Sequence, residues 1–186
     1  MRAFIAIALP DTVRESLRQL QQELAQSRAD VKWVEPANLH LTLKFLDEIA
    51  EDQRQQVEAM LGEMASREST FTLQLEQVGA FPSMSAPRIM WVGIAQGKDA
   101  LTRMGEAIEQ QARSLGLRRE ERPFSCHLTL GRVRSPRGLK ELAKQLRTVQ
   151  WTAPAPWRVS AVTLYYSTLS SSGPHYNVLA EVPLER

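Results

Sequence analysis

Cysteine is nearly absent from this chain of 186 residues, with Cys126 standing alone. A single thiol closes no intrachain disulfide, and without a Cys-x-x-Cys pair there is no signal for structural zinc, so a reducing, cytoplasmic setting is expected. Long apolar runs are missing as well. Charge breaks each of them well before the roughly 18 residues of a membrane span, and the opening MRAFIAIALPDTVRESL meets acids at once and lacks a small-residue cleavage site. No membrane partner is expected. Neither Gly-x-x-x-x-Gly-Lys-Ser/Thr nor Gly-x-Gly-x-x-Gly occurs, which leaves ligation powered by a bound nucleotide unsupported. Histidine is scarce too, at three residues.

The formal net charge is only +2, but it is unevenly spread. Between Arg118 and Arg147 nine Lys or Arg face three acids, 9 − 3 = +6, which leaves 2 − 6 = −4 for the remainder. Such asymmetry suits a polyanion approaching one side, or a solvated helix face.

Strand and helix periods alternate along the chain. RAFIAIAL at 2–9 reads as a buried strand ended by Pro10, after which Asp11 caps a helix with Val13, Leu17, Leu20 and Leu24 inward. Strands are expected at 32–34 and 39–46, followed by a helix over 50–66 carrying Val57, Met60, Leu61 and Met64. FTLQLEQVGAF and RIMWVGIA form the next two strands, and Leu101, Met104, Ile108 and Leu115 mark a helix from Lys98 to Leu115. A strand at 127–133 precedes a short helix opened by Ser135-Pro136, with Leu139, Leu142 and Leu146 inward. Two last strands, 157–168 and 175–182, flank a loop at 170–174. The length and the interleaving fit a single α+β domain over 1–186, made of two lobes about a cleft.

His-Leu-Thr-Leu occurs twice, at 40–43 and 127–130, with 127 − 40 = 87 residues between equivalent positions. Strand alternation places His40 and Thr42 on one face and Leu41 and Leu43 on the other; His127, Thr129, Leu128 and Leu130 repeat the arrangement. Each strand is thus anchored by leucines while it presents an imidazole and a hydroxyl. Two imidazoles can share acid and base duty near neutral pH, and threonine hydroxyls can hold the non-bridging oxygens of a phosphate. The two motifs are chemically identical, so this reasoning leaves open which histidine does which.

These motifs, with WVEPANLHLTLKFL, the FPS loop before a strand ending in WVGI, FSCHLTLGRVR and LYYSTLSSSGPHYNVL around them, make the chain resemble the 2H phosphoesterases over essentially its whole length. Within them it is similar to the RNA 2′,3′-cyclic phosphodiesterases, also called 2′-5′ RNA ligases. The resemblance implies a bilobal α+β fold, two pseudo-symmetric, mainly antiparallel sheets facing a central cleft with helices outside. It implies metal-independent hydrolysis of RNA 2′,3′-cyclic phosphate ends, tRNA fragments among them, to 2′-phosphomonoesters, and 2′-5′ ligation as the reverse. By the same resemblance His40 is the proton donor, His127 the acceptor, Thr42 and Thr129 hold the phosphate, and Arg132 neutralises it. No cofactor or metal is implied, and a monomer is expected. A protein that binds RNA ends without turnover, or a phosphodiesterase for 2′-5′ oligoadenylates or small cyclic nucleotides, are the other readings.

Strict alternation turns Arg132 away from His127 unless Gly131 introduces a bulge. It sends Phe45, an aromatic suited to stacking on a base, to the core face of Leu41 and Leu43, and Lys44 to the face of His40, toward phosphate or solvent. Cys126 reads as core, His175 lacks ligand spacing for zinc, and Trp33, Trp91, Trp151 and Trp157 read as packing residues.

Overall fold

The computed structural model describes residues 1–186. Two antiparallel sheets carry the fold. In chain order the elements are β1 (Arg2–Ile7), α1 (Asp11–Ala25), β2 (Val31–Trp33), a 3-10 turn (Pro36–Asn38), β3 (Leu41–Glu48), α2 (Glu51–Ala65), β4 (Phe71–Pro82), β5 (Pro87–Gln96), α3 (Lys98–Ser114), β6 (Leu128–Val133), α4 (Leu139–Thr148), β7 (Trp157–Val159), β8 (Ala161–Ser170) and β9 (Gly173–Pro183). The first sheet has the order β3-β1-β8-β9, the second β2-β6-β5-β4-β7.

Each sheet therefore holds one His-Leu-Thr-Leu strand beside a strand of its own half, and takes others from the opposite half: β2 and β4 join the sheet of the second motif, and β8 and β9 join that of the first. One hydrophobic cluster runs through both. Leu41, Leu43, Leu128 and Leu130 all belong to it, with Ile5 and Ile7 of β1, Met90 and Val92 of β5, and the inward faces of the helices. Those helix faces are Val13, Leu17, Leu20 and Leu24 in α1, Val57, Met60, Leu61 and Met64 in α2, and Leu101, Met104 and Ile108 in α3, the stripes expected from the 3.6-residue period.

Most strand limits move by one or two residues, β3 and β6 beginning just after His40 and His127, and three differences from the sequence reading go further. Pro10 occupies the N-cap of α1 and Asp11 is its first helical residue. The last short helix starts at Leu139, because Gly138 adopts φ 74° against the backbone of Ala29, where a Cβ would lie 2.6 Å from Cα, and Ser135-Pro136 falls outside the helix. The stretch 157–168 is not one strand. Ser160 breaks it, β7 pairing with β4 in the second sheet and β8 with β1 in the first; β8 then runs on to Ser170 and meets β9 through a tight turn at Ser171-Ser172 in place of the longer loop.

Candidate active site

His40 and His127 stand one residue before β3 and β6, so each imidazole sits at the mouth of a strand whose leucines are fixed in the core. Both line one cleft of about 1090 Å³, together with Thr42, Thr129, Phe45 and Arg132. Each histidine lies on an aromatic ring. Phe4 stacks under His40 at 4.8 Å between centroids, and Trp91 under His127 at 4.9 Å. These rings come from the paired positions of β1 and β5, 40 − 4 = 36 and 127 − 91 = 36 residues before their histidines.

The two imidazoles differ in depth. His40 is enclosed by Phe4 and the edge of Tyr176, 5.3 Å away, with Tyr165 further off. Its Nδ1 lies 2.5 Å from the carbonyl oxygen of Asn38, so the Nδ1–H donates there and Nε2 is left for chemistry. Asn38 is itself held by its Nδ2, which donates to the Pro174 carbonyl at 3.0 Å. Burial pushes the His40 imidazole down to about 4, against the opposing pull of the Asn38 carbonyl and with help from the nearby Arg14 cation. With these neighbours alone His40 is neutral at pH 7. His127 is more exposed; partial burial, then the charge of Lys98, lowers it as well. The Ser125 hydroxyl shares a hydrogen bond with its Nε2 at 3.2 Å.

Beyond the threonines both strands break their alternation at the same place. In β3, Thr42 pairs with Ala6 and Lys44 with Ile5, so Leu43 is an extra residue; in β6, Thr129 pairs with Trp91 and Gly131 with Met90, so Leu130 is. Each bulge shifts the later residues of its strand by one position. Arg132 is thereby returned to the cleft, and Phe45, five residues after its histidine as Arg132 is after its own, is exposed there as well. Phe45 consequently leaves the core face on which alternation puts it, at 54% exposed. Gly131 is required by close approach, because a Cβ would sit 2.8 Å from the Trp33 ring and 3.1 Å from the Lys32 carbonyl. The bulge carbonyl of Leu130 is fixed by the Val34 N–H at 2.8 Å and by the amide of buried Gln21 at 3.0 Å.

Lys44, at the position of Gly131 in the other motif, is neither solvated nor free for an incoming phosphate. Its side chain is 4% exposed and its ammonium donates to Glu109 of α3 at 2.5 Å. Burial works to raise the Glu109 carboxyl, but the hydrogen bonds from Lys44 and from the Glu120 N–H outweigh it and hold the group low. Cys126 is buried, its thiol pushed up to about 12 by burial, and acts as core. His175 faces Thr168 across the β8–β9 ladder, and no three His, Cys, Asp or Glu side chains converge to hold a metal ion. No helix is long and apolar enough to cross a membrane.

Two segments, residues 7–91 and 92–176, each match the model of the family described as LigT like Phosphoesterase. The chain belongs to the LigT-like phosphoesterase family. Its internal repeat is thus the family unit used twice, once for each histidine. Among its relatives, an RNA 2′,3′-cyclic phosphodiesterase of Archaeoglobus fulgidus is 35% identical over 96% of this chain and 98% of its own length. One of the same name from Aeropyrum pernix is 36% identical over 89% of this chain and 93% of its own. A crystal structure from Thermus thermophilus superposes with a TM-score of 0.80 at 28% identity, covering 99% of this chain and 98% of that one. Escherichia coli LigT complexed with 3′-AMP gives 0.78 at 27% identity, covering 100% and 98%.

In this LigT-like chain the second wall of the cleft has no counterpart in the sequence reading. It consists of α3, through Gly105, Glu106, Glu109, Gln110 and Arg113, and of the segment Glu120–Ser125. Glu109 ties these together, accepting from Lys44, from Arg113 and from the Glu120 backbone. No local pattern reveals that contact. Ser125, by contrast, stands two residues before His127, and the equal 36-residue offsets of Phe4 and Trp91 are visible once the repeat is aligned.

Proposed function

We propose that this chain hydrolyses RNA 2′,3′-cyclic phosphate ends to 2′-phosphomonoesters without a metal ion, His40 serving as the acid and His127 as the base. The observation that carries the reading is the delivery of both imidazoles and both threonine hydroxyls to one cleft, by two strands of the same design. Relatives bearing the name RNA 2′,3′-cyclic phosphodiesterase along nearly their whole lengths support it.

In the reaction His127, the more open imidazole, takes a proton from water as its oxygen bonds to phosphorus. The bond from phosphorus to O3′ breaks, and the proton on His40 Nε2 passes to that oxygen. Thr42 and Thr129 donate to the non-bridging oxygens, where charge is stabilised in the transition state, and Arg132 balances the remaining charge. The carbonyl of Asn38 supports the donor role because it fixes the His40 ring with Nε2 directed away from it. The protein's own groups leave His40 unprotonated at neutral pH, so the arriving phosphate anion must raise its affinity for the proton. Attack by a 5′-hydroxyl in place of water gives a 2′-5′ linkage by the same route.

Phosphorus NMR of a short RNA ending in a cyclic phosphate, turned over in excess EDTA, tests the proposal. A 2′-phosphate is expected; a 3′-phosphate would show the wrong leaving oxygen, and loss of turnover in EDTA would remove the metal-free mechanism. His40→Ala and His127→Ala should each lower kcat by about 10² to 10⁴ with the fold retained.

A further inference from the structure

A cyclic phosphate closes the 3′ end of an RNA, so the rest of the strand extends only in the 5′ direction from it. The second sheet continues past the reactive groups in a way that suits such a strand. Phe81 of β4 is registered opposite Ile89 of β5, Ile89 opposite Arg132 of β6, and Arg132 opposite Lys32 of β2. Directly paired residues share a face of a sheet. The neighbours of this row in the chain, Ala80, Met90, Val133, Val31 and Trp33, pack against the core, so the row itself lies on the opposite face, the one on which Arg132 enters the cleft. At about 4.8 Å per strand the row is about 14 Å wide, and it lies one bulged step beyond Thr129.

Its ends carry complementary chemistry. Phe81 is 62% exposed, a large aromatic that packing does not account for. Lys32 and Arg132 are also exposed and take part in no ion pair, whereas nearby Arg134 and Arg137 both lean on Asp30, at 3.9 and 3.7 Å. The other sides of the site carry mixed charge: Glu106, Glu120 and Glu121 stand with Arg113 and Arg122 on the α3 wall, and toward the opposite end of the same sheet Glu76 lies against Gly93 while the charge of Lys98 reaches His127. The row presents Lys32 and Arg132 with no acid paired to them, which attracts a phosphodiester chain leaving the site.

We propose that this row is a second RNA subsite, where Phe81 stacks on a base upstream of the cyclic phosphate and Lys32, three strands away at the other end of the row, neutralises a different backbone phosphate of the same strand. The inference rests on the function proposed above. Single-stranded RNA is held by aromatic platforms and cations in this manner, without base-specific hydrogen bonds.

The test compares kcat/KM for uridine 2′,3′-cyclic phosphate and for a short oligouridylate ending in the same group. Phe81→Ala is expected to lower the value for the oligomer about tenfold and leave that for the mononucleotide unchanged, which also reports that the variant is folded. Lys32→Gln is expected to act in the same selective way and to flatten the dependence of log kcat/KM on log salt for the oligomer by about 0.7. Equal losses on both substrates, or none on either, overturn the subsite while leaving the phosphodiesterase reading in place. A wild-type protein that turns over neither substrate overturns that reading, and the subsite with it.

Discussion

His40 makes the folded protein sensitive to acid in a way that can be worked out from its surroundings. Its imidazole is held at about 4 by burial among Phe4, Tyr165 and Tyr176, against a reference value of 6.5 once the chain unfolds. Between those two values the unfolded chain binds a proton at this position and the folded one does not. Stability therefore falls as pH drops through 6.5 and stops falling, for this group, below about 4. At 1.36 kcal/mol per pH unit the interval is worth about 3 kcal/mol. His40→Gln keeps a polar side chain and removes the titration. Guanidinium unfolding of both proteins at pH 7.5 and pH 4 should show the wild type losing about 3 kcal/mol more than the variant. The imidazole Cε1–H resonance of His40 should titrate near 4 in the free protein. Unfolding curves that shift equally with pH, or a resonance that titrates near 6.5, would refute the argument.

The same depressed imidazole predicts that kcat/KM, which reports the free enzyme, declines about tenfold per pH unit above neutrality, because the proton donor must be loaded on binding; a pH–rate profile flat from 7 to 9 would contradict this. Gly131→Ala should cost about 1–3 kcal/mol by thermal unfolding, since its Cβ meets Trp33 and the Lys32 backbone, and should raise KM by moving Arg132. Lys44→Met, which takes the ammonium from the partly buried Glu109 and leaves its carboxylate to Arg113 and the Glu120 N–H, should destabilise by about 1–2 kcal/mol in the same assay. Thr42→Val and Thr129→Val should each reduce kcat by about a hundredfold with little change in melting temperature, as expected for lost donors to the phosphate oxygens.

Much of the site could be read from the sequence because its logic is local. Leu41, Leu43, Leu128 and Leu130 fix the direction of each motif, and that direction needs only the two-residue period of a strand. The period fails where a strand holds an unpaired residue. Gly131 signals such a place and offers the bulge by which Arg132 returns to the cleft, but the equivalent position in the first motif is Lys44, which carries no mark of a bulge, and Phe45 is then assigned to the wrong face. Contacts between distant segments are likewise out of reach of local patterns. Nothing near Lys44 in the chain announces Glu109, 65 residues away, and the break at Ser160 acquires meaning only when β7 and β8 are seen in different sheets. The helices pose no such difficulty, since Val13, Leu17, Leu20 and Leu24 in α1 and the matching stripes of α2 and α3 record their buried faces in their own spacing.

The exchange of strands between halves bears on how the site can move. Enzymes made of two duplicated lobes are often imagined as jaws, swinging on a strap of chain between them. Here the chain that leaves one half is a rung of the other half's ladder, with β4 between β5 and β7 and β8 between β1 and β9. The two sheets share no strand, but the chain passes between them four times, at β1–β2, β2–β3, β3–β4 and β7–β8, and one hydrophobic cluster runs through both, so swinging them apart would strain four connections and open that core. The gap between the two histidines is therefore set like the width of a woven frame, and a substrate must match it on arrival.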